Sequence, residues 1–124
     1  MTIISDANTA TGQWTDVCTI DALTPDRGAA VLVDGDAVAV FRLGECGAAD
    51  DGEILAIDHV DPFHGVGVLA RGLVGSVGER VVVASPLLKQ RFDLRTGECL
   101  DSPGASVRTW DVDVVDGSVL VRRR

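Results

Sequence analysis

Two short loops hold the residues whose types and order invite chemistry: Asp61-Pro62-Phe63-His64-Gly65 and Ser85-Pro86-Leu87-Leu88-Lys89-Gln90. They offer a carboxylate, an imidazole and a hydroxyl, with His59 close by and three cysteines elsewhere, Cys18, Cys46 and Cys99. A zinc centre needs paired short ligand spacings, and these residues lack them. The cysteines are widely separated, form no Cys-x-x-Cys pair, and read as small buried hydrophobes. His59 and His64 read as partly exposed histidines near a turn. Hydrolysis finds no support either. Gly75-Ser76-Val77-Gly78 is no nucleophile elbow, since no helix follows it, and no phosphate loop, since no Gly-Lys-Ser/Thr ending is present. Asp50-Asp51 and the Asp111/Asp113 pair read as turn or solvent-face carboxylates, without the partial burial that splits the pKa values of a catalytic dyad.

The elements that position the two loops read as short strands. Trp14 to Ile20 is a candidate strand, followed by a single helical turn or tight loop over Asp21 to Asp26. Asp34-Gly35 predicts a type I′ hairpin between Ala29–Val33 and Asp36–Leu43, because both turn positions tolerate positive φ. In the second of these strands Ala39, Phe41 and Leu43 share one face and Val38, Val40 and Arg42 the other. Glu53 to Val60 leads into the first loop. Leu73-Val74 and Arg80 to Ala84 flank a glycine-bearing connection and lead into the second loop. Arg91–Leu94 and Glu98–Leu100 bracket an Arg95-Thr96-Gly97 turn. Val107–Val115 and Ser118–Arg122 form a hairpin about Asp116-Gly117, with Trp110, Val112 and Val114 alternating against Asp111 and Asp113. About nine or ten short strands with frequent turns imply an all-β barrel or sandwich.

The chain has 124 residues, 46% of them hydrophobic, which suits one packed domain over residues 13–124 behind a flexible N-terminal segment, 1–12. A net charge of −8 and the absence of tyrosine argue against nucleic acid, which needs a basic surface or an aromatic platform. Arg122 to Arg124, the one basic run, reads as a solvated end. No stretch approaches the roughly 18 apolar residues that cross a bilayer, and no signal peptide is evident. With its odd, scattered cysteines, the chain is expected in a reducing cytoplasm.

The two loops also resemble those of a Rieske iron–sulfur domain. Such a domain binds its centre with a Cys-x-His loop and a Cys-Pro-x-His loop, the second running into a Phe-Asp-Leu strand and a Thr-Gly turn. Ser85-Pro86-Leu87-Leu88-Lys89-Gln90-Arg91-Phe92-Asp93-Leu94-Arg95-Thr96-Gly97 follows that frame. The resemblance implies a Rieske-like antiparallel β-barrel or sandwich with two ligand-type loops. It places the four ligand positions on Asp61, Phe63, Ser85 and Leu88. A Rieske centre needs two thiolates and two imidazoles; a benzyl ring and an isobutyl group have no lone pair to give. The expectation is therefore a frame without its metal, and no catalytic residue on this chain.

The likeness narrows further. Val83 to Leu94, Asp61-Pro62-Phe63, Val68 to Gly75, Trp14 to Cys18 and Gly97 to Asp101 are similar to the small subunits of assimilatory NAD(P)H-dependent nitrite reductases, over about residues 14 to 121. That resemblance implies an enzyme reducing nitrite to ammonium. Its FAD, nicotinamide site, iron–sulfur cluster and sirohaem would all sit on the large subunit, and this chain would carry no cofactor. Phe63, Leu87 and Leu88 would either fill the vacated space or form an apolar tip. With Pro62, and with Lys89, Gln90 and Arg91 as a polar rim, they are the candidate interface to the large subunit. Two other classes compete: a stand-alone Rieske-like interaction or regulatory domain for another oxidoreductase, and an electron carrier with an unconventional metal centre.

Overall fold

The computed structural model describes residues 13–44, 53–87 and 89–124. The proposed flexible segment 1–12, Cys46, Asp50, Asp51 and Leu88 lie outside the described residues. Within them the chain is built from strands: β1 (Thr15–Thr19), β2 (Arg27–Val33), β3 (Asp36–Arg42), β4 (Ile54–Asp58), β5 (Val60–Asp61), β6 (Val66–Gly67), β7 (Leu73–Val77), β8 (Arg80–Ala84), β9 (Arg91–Asp93), β10 (Thr109–Val115) and β11 (Ser118–Arg123). Two 3-10 turns interrupt them, Ile20–Ala22 and Leu69–Arg71. No helix among the described residues is long and apolar enough to cross a membrane.

All pairing in the sheets is antiparallel. A six-stranded sheet runs β1-β11-β10-β4-β3-β2, a three-stranded sheet β9-β8-β7, and β5 and β6 form a two-stranded ribbon. Both predicted Asp-Gly hairpins are present. Asp34 and Gly35 have φ of 53° and 84°, and Asp116 and Gly117 have φ of 52° and 82°, the left-handed pair that a type I′ turn requires.

Strand β3 is the spine of the molecule, buried on both faces. Ala39, Phe41 and, just beyond it, Leu43 enter one core with Leu69, Val81, Val83, Phe92 and Leu94. Val38 and Val40 enter a second core with Leu23, Val33, Trp110, Val119 and Val121, inside the curve of the large sheet. The first core joins the large sheet to the three-stranded sheet that carries the second loop, so packing in that core sets where the loop stands. Removing the buried Phe41 ring would cost about 3–5 kcal/mol.

Several local expectations shift. The connection read at Gly75 is a continuation of β7 to Val77, and the turn is Gly78-Glu79. Glu98–Leu100 is no strand; Glu98 and Cys99 make isolated bridges to Ser106 and Phe92. Arg122–Arg124 is not a solvated end. Arg122 and Arg123 belong to β11; Arg122 and Arg124 pair with Asp111, and Arg123 pairs with Asp36. Trp110 sits beneath the guanidinium groups of Arg108 and Arg123, 5.3 and 5.1 Å from its ring, and its Nε1–H donates to Asp58. Cys99 is buried as expected, whereas Cys18 is only half-buried.

Candidate functional site

The first loop connects β5 to β6, and its shape follows from Asp61. Asp61 is fully buried, and its Oδ1 accepts the Phe63 N–H at 2.8 Å, closing the local turn typical of aspartate. Its carbonyl accepts the Gly65 N–H at 2.7 Å. Gly65, at φ +68°, reverses the chain into β6 where a side chain would be strained. The second loop, between β8 and β9, repeats the device with a serine. Ser85 is fully buried, its Oγ accepts the Leu87 N–H at 3.3 Å, and its backbone pairs with Gln90 and Lys89 at 2.8 and 3.0 Å. Lys89 itself takes a left-handed φ of 67° to complete the turn.

The two loops meet through these same residues. Ser85 Oγ donates to Asp61 Oδ2 at 2.7 Å, a buried side-chain bond that links positions 24 apart in sequence. Burial pushes the Asp61 carboxyl up, but the bonds from Ser85 and the Phe63 N–H, with His64 alongside, outweigh it and hold the group below the usual carboxylate range. His64 Nδ1 stands 3.7 Å from Asp61 on the exposed side.

Sequence reasoning missed the part played by His59. Its Nδ1 accepts the Ala70 N–H at 3.1 Å, and its carbonyl accepts the N–H groups of Val68 and Leu69 at 3.1 and 3.0 Å. The imidazole thus pins the segment after the first loop to the end of β4. Burial and the Arg71 cation push its pKa down, opposed by a hydrogen bond to the Gly67 backbone. The fit is close: a Cβ on Gly67 would lie 2.8 Å from the His59 ring.

Beyond the second loop, Asp93 anchors the Phe92–Gly97 corner. Its Oδ1 accepts the N–H groups of Arg95 and Thr96, and its Oδ2 accepts Arg80 Nε at 2.8 Å. Desolvation raises its pKa, but the Arg95 N–H, Arg80 and the Thr96 N–H prevail and lower it. Arg91 is tied to Asp101 through its N–H and guanidinium, which draws the Asp101 carboxyl down to about 2, and its side chain stays exposed.

The four ligand-type positions do not fit a [2Fe–2S] cluster. Asp61 and Ser85 are bonded directly to each other, and Ser85 spends its hydroxyl proton on Asp61. Phe63 and Leu88 have no donor atom. Among the described residues no group of three or more His, Cys, Asp or Glu could hold a metal ion. Phe63 lies between the two packings that its sequence allowed. It is 40% exposed, yet its ring stands 6.2 Å from that of the buried Phe92. Val60, Val66 and Leu87 are exposed apolar residues of the same two loops and their ribbon, with Pro62 and Pro86 also exposed. Lys89 is exposed, and Gln90 Oε1 is buried without a hydrogen-bond partner.

Residues 13–122 match the Rieske-like [2Fe-2S] domain family. The chain is similar to the NADH-dependent nitrite reductase small subunit of Mycobacterium tuberculosis, whose crystal structure superposes with a TM-score of 0.82. The two are 46% identical, over 90% of this chain and 96% of that one. The nitrite reductase (NADH) small subunit of Salmonella typhimurium is 39% identical over 110 residues, covering 89% of this chain and 97% of the relative. A segment of the nitrite reductase [NAD(P)H] large subunit of Klebsiella oxytoca is 35% identical over 108 residues, covering 87% of this chain but 11% of that protein. With its two loops held by Asp61 and Ser85 on a Rieske-like frame, and near end-to-end likeness to these proteins, the chain belongs to the family of nitrite reductase small subunits within the Rieske-like domains.

Proposed function

We propose that this chain is the small subunit of an assimilatory NAD(P)H-dependent nitrite reductase, carries no redox centre, and docks on a large subunit that reduces nitrite to ammonium. The observation that carries this reading is the extent of the match: small subunits align with it over 97% of their own length. The Klebsiella oxytoca large subunit adds weight, because a segment like this chain occurs there within the large polypeptide itself. Two domains found on one chain in one organism are apt to be in contact when they are separate chains in another. FAD, an iron–sulfur cluster and sirohaem are assigned to the partner by the family resemblance. The ligand-type positions of this chain support leaving them there, since Phe63 and Leu88 offer nothing to iron. The compartment that suits this role is the cytoplasm.

The docking surface is assigned to the loop tip: Pro62, Phe63, Leu87 and Leu88, bordered by Lys89 and Gln90. Exposed apolar residues gathered on two loops that a rigid frame holds together are a common form of protein contact. The test replaces Phe63→Asp and Leu88→Asp, then measures co-purification with the large subunit and nitrite-dependent NADH oxidation. Both are expected to fall. Unchanged association and rate would remove the tip from the interface.

A further inference from the structure

We propose that His59 is a proton-operated latch. Neutral, it holds the return of the first loop closed; protonated in mild acid, it releases that return and the docking tip with it. The latch follows from the hydrogen bonds of the ring, and its effect on docking rests on the role proposed above. His59 is half-buried, between the end of β4 and the start of β5. Its Nδ1 accepts the Ala70 N–H at 3.1 Å, so that nitrogen carries no proton. The other nitrogen, Nε2, then bears the proton and makes the hydrogen bond to the Gly67 backbone. One neutral imidazole thus clasps both β6 and the Leu69–Arg71 turn.

A second proton undoes the clasp. It binds Nδ1, and the new N–H then points at the Ala70 N–H. An accepted hydrogen bond becomes two donors face to face, so the Ala70 amide must part from the ring. Charge sharpens the response. Arg71 on the turn repels a proton on His59, and burial opposes it as well. From β2, Arg27 stands beside the contact of Gly28 with Ala70, a second cation on that side. The nearby carboxylates are bonded elsewhere: Asp36 to Arg123, Asp58 to Arg108 and Trp110, Asp61 to Ser85. His64 stands beside Asp61, β6 has no titratable side chain, and β3 meets His59 through the Ala37 carbonyl, which accepts its N–H.

The change stays local. Leu69 and Ala70 are buried in the core with Phe41, and the His59 carbonyl still accepts the N–H groups of Val68 and Leu69. What loosens is the ribbon that carries the first loop. It pairs β5 with β6 at Val60–Gly67 and Asp61–Val66, and two strands this short are marginal without side-chain support. The His59 ring, packed on Gly67, gives that support. Histidine is also the side chain whose ordinary titration falls within the range between neutral and mildly acidic pH.

The test follows amide exchange at Ala70 in the full chain, corrected for the intrinsic exchange rate, from about pH 7.5 to about pH 5. Protection should be constant at the upper end and fall below about pH 6.5, by up to about tenfold per unit. His59→Asn, whose Oδ1 can accept the same N–H and does not titrate, should stay constant throughout. Arg71→Gln, a change at an exposed position, should shrink the acid-dependent loss because one repelling cation is gone; it serves also if His59→Asn folds poorly. Protection that does not depend on pH in the wild type overturns the latch, whatever the protein binds. Affinity for the large-subunit holoenzyme is measured over the same range, and it should weaken in acid several-fold more for the wild type than for His59→Asn. Equal pH dependence in the two overturns the effect on docking. If the wild type binds at no pH, the docking role itself fails, and the exchange result alone decides the latch.

Discussion

Asp61 and Ser85 show how much one hydrogen bond settles. Each residue closes its own loop by accepting the N–H two positions on, and together they close the gap between the loops. Ser85→Ala would leave a buried carboxylate oxygen without its donor, at a cost of about 1.5–3 kcal/mol, readable as a lower urea midpoint. The pH dependence follows from the sign of the shift. Asp61 titrates lower when folded than when unfolded. Its stabilisation is therefore full above the unfolded value of about 3.9 and disappears as pH falls through the depressed folded value. Acid unfolding of Ser85→Ala should show less of that loss. His59 behaves alike in sign: its folded pKa is lowered, so its contribution is present above about 6.5 and lost as pH falls through the folded value. In His59→Gln, the decline in unfolding free energy on going from neutral to mildly acidic pH should diminish.

The elements were legible where a local rule governs them. Asp34-Gly35 and Asp116-Gly117 announce hairpins through chain geometry alone, and both are found. The two faces of β3 were separable by alternation, though alternation could not say that both would be dry. The errors arose where distant partners decide. Gly75 looks like punctuation, but it is held in β7 by pairing with Val82. The arginines at the end of the chain look free, but Arg123 finds Asp36 across 87 positions. Gly97 is the counterpart among turns: its φ is +81°, and a Cβ there would stand 2.1 Å from the Val107 carbonyl. Gly97→Ala should therefore cost more than the usual 1 kcal/mol or so of a strained glycine position. Thermal unfolding measures this directly, with Gly75→Ala as the control, because nothing lies within 4 Å of a Cβ there.

At the scale of the whole molecule, the two cores and the six-stranded sheet give the loops a rigid base. The candidate site was half legible. The positions Asp61, Phe63, Ser85 and Leu88 could be named from the loop frame. The bond between Asp61 and Ser85 could not, since nothing local brings a carboxylate to a hydroxyl 24 residues away. His59 escaped notice for the same reason. Its neighbours in sequence do not disclose that it would hold the backbone of Ala70. The Asp61–Ser85 link also bears on how the protein comes to exist in a cell. Two encoded side chains fasten the loops, so the folded shape should be reached without an iron-delivery apparatus and should survive air, iron starvation and oxidants. Folding from denaturant in the presence of a strong chelator should give the same yield and the same melting temperature as folding without it.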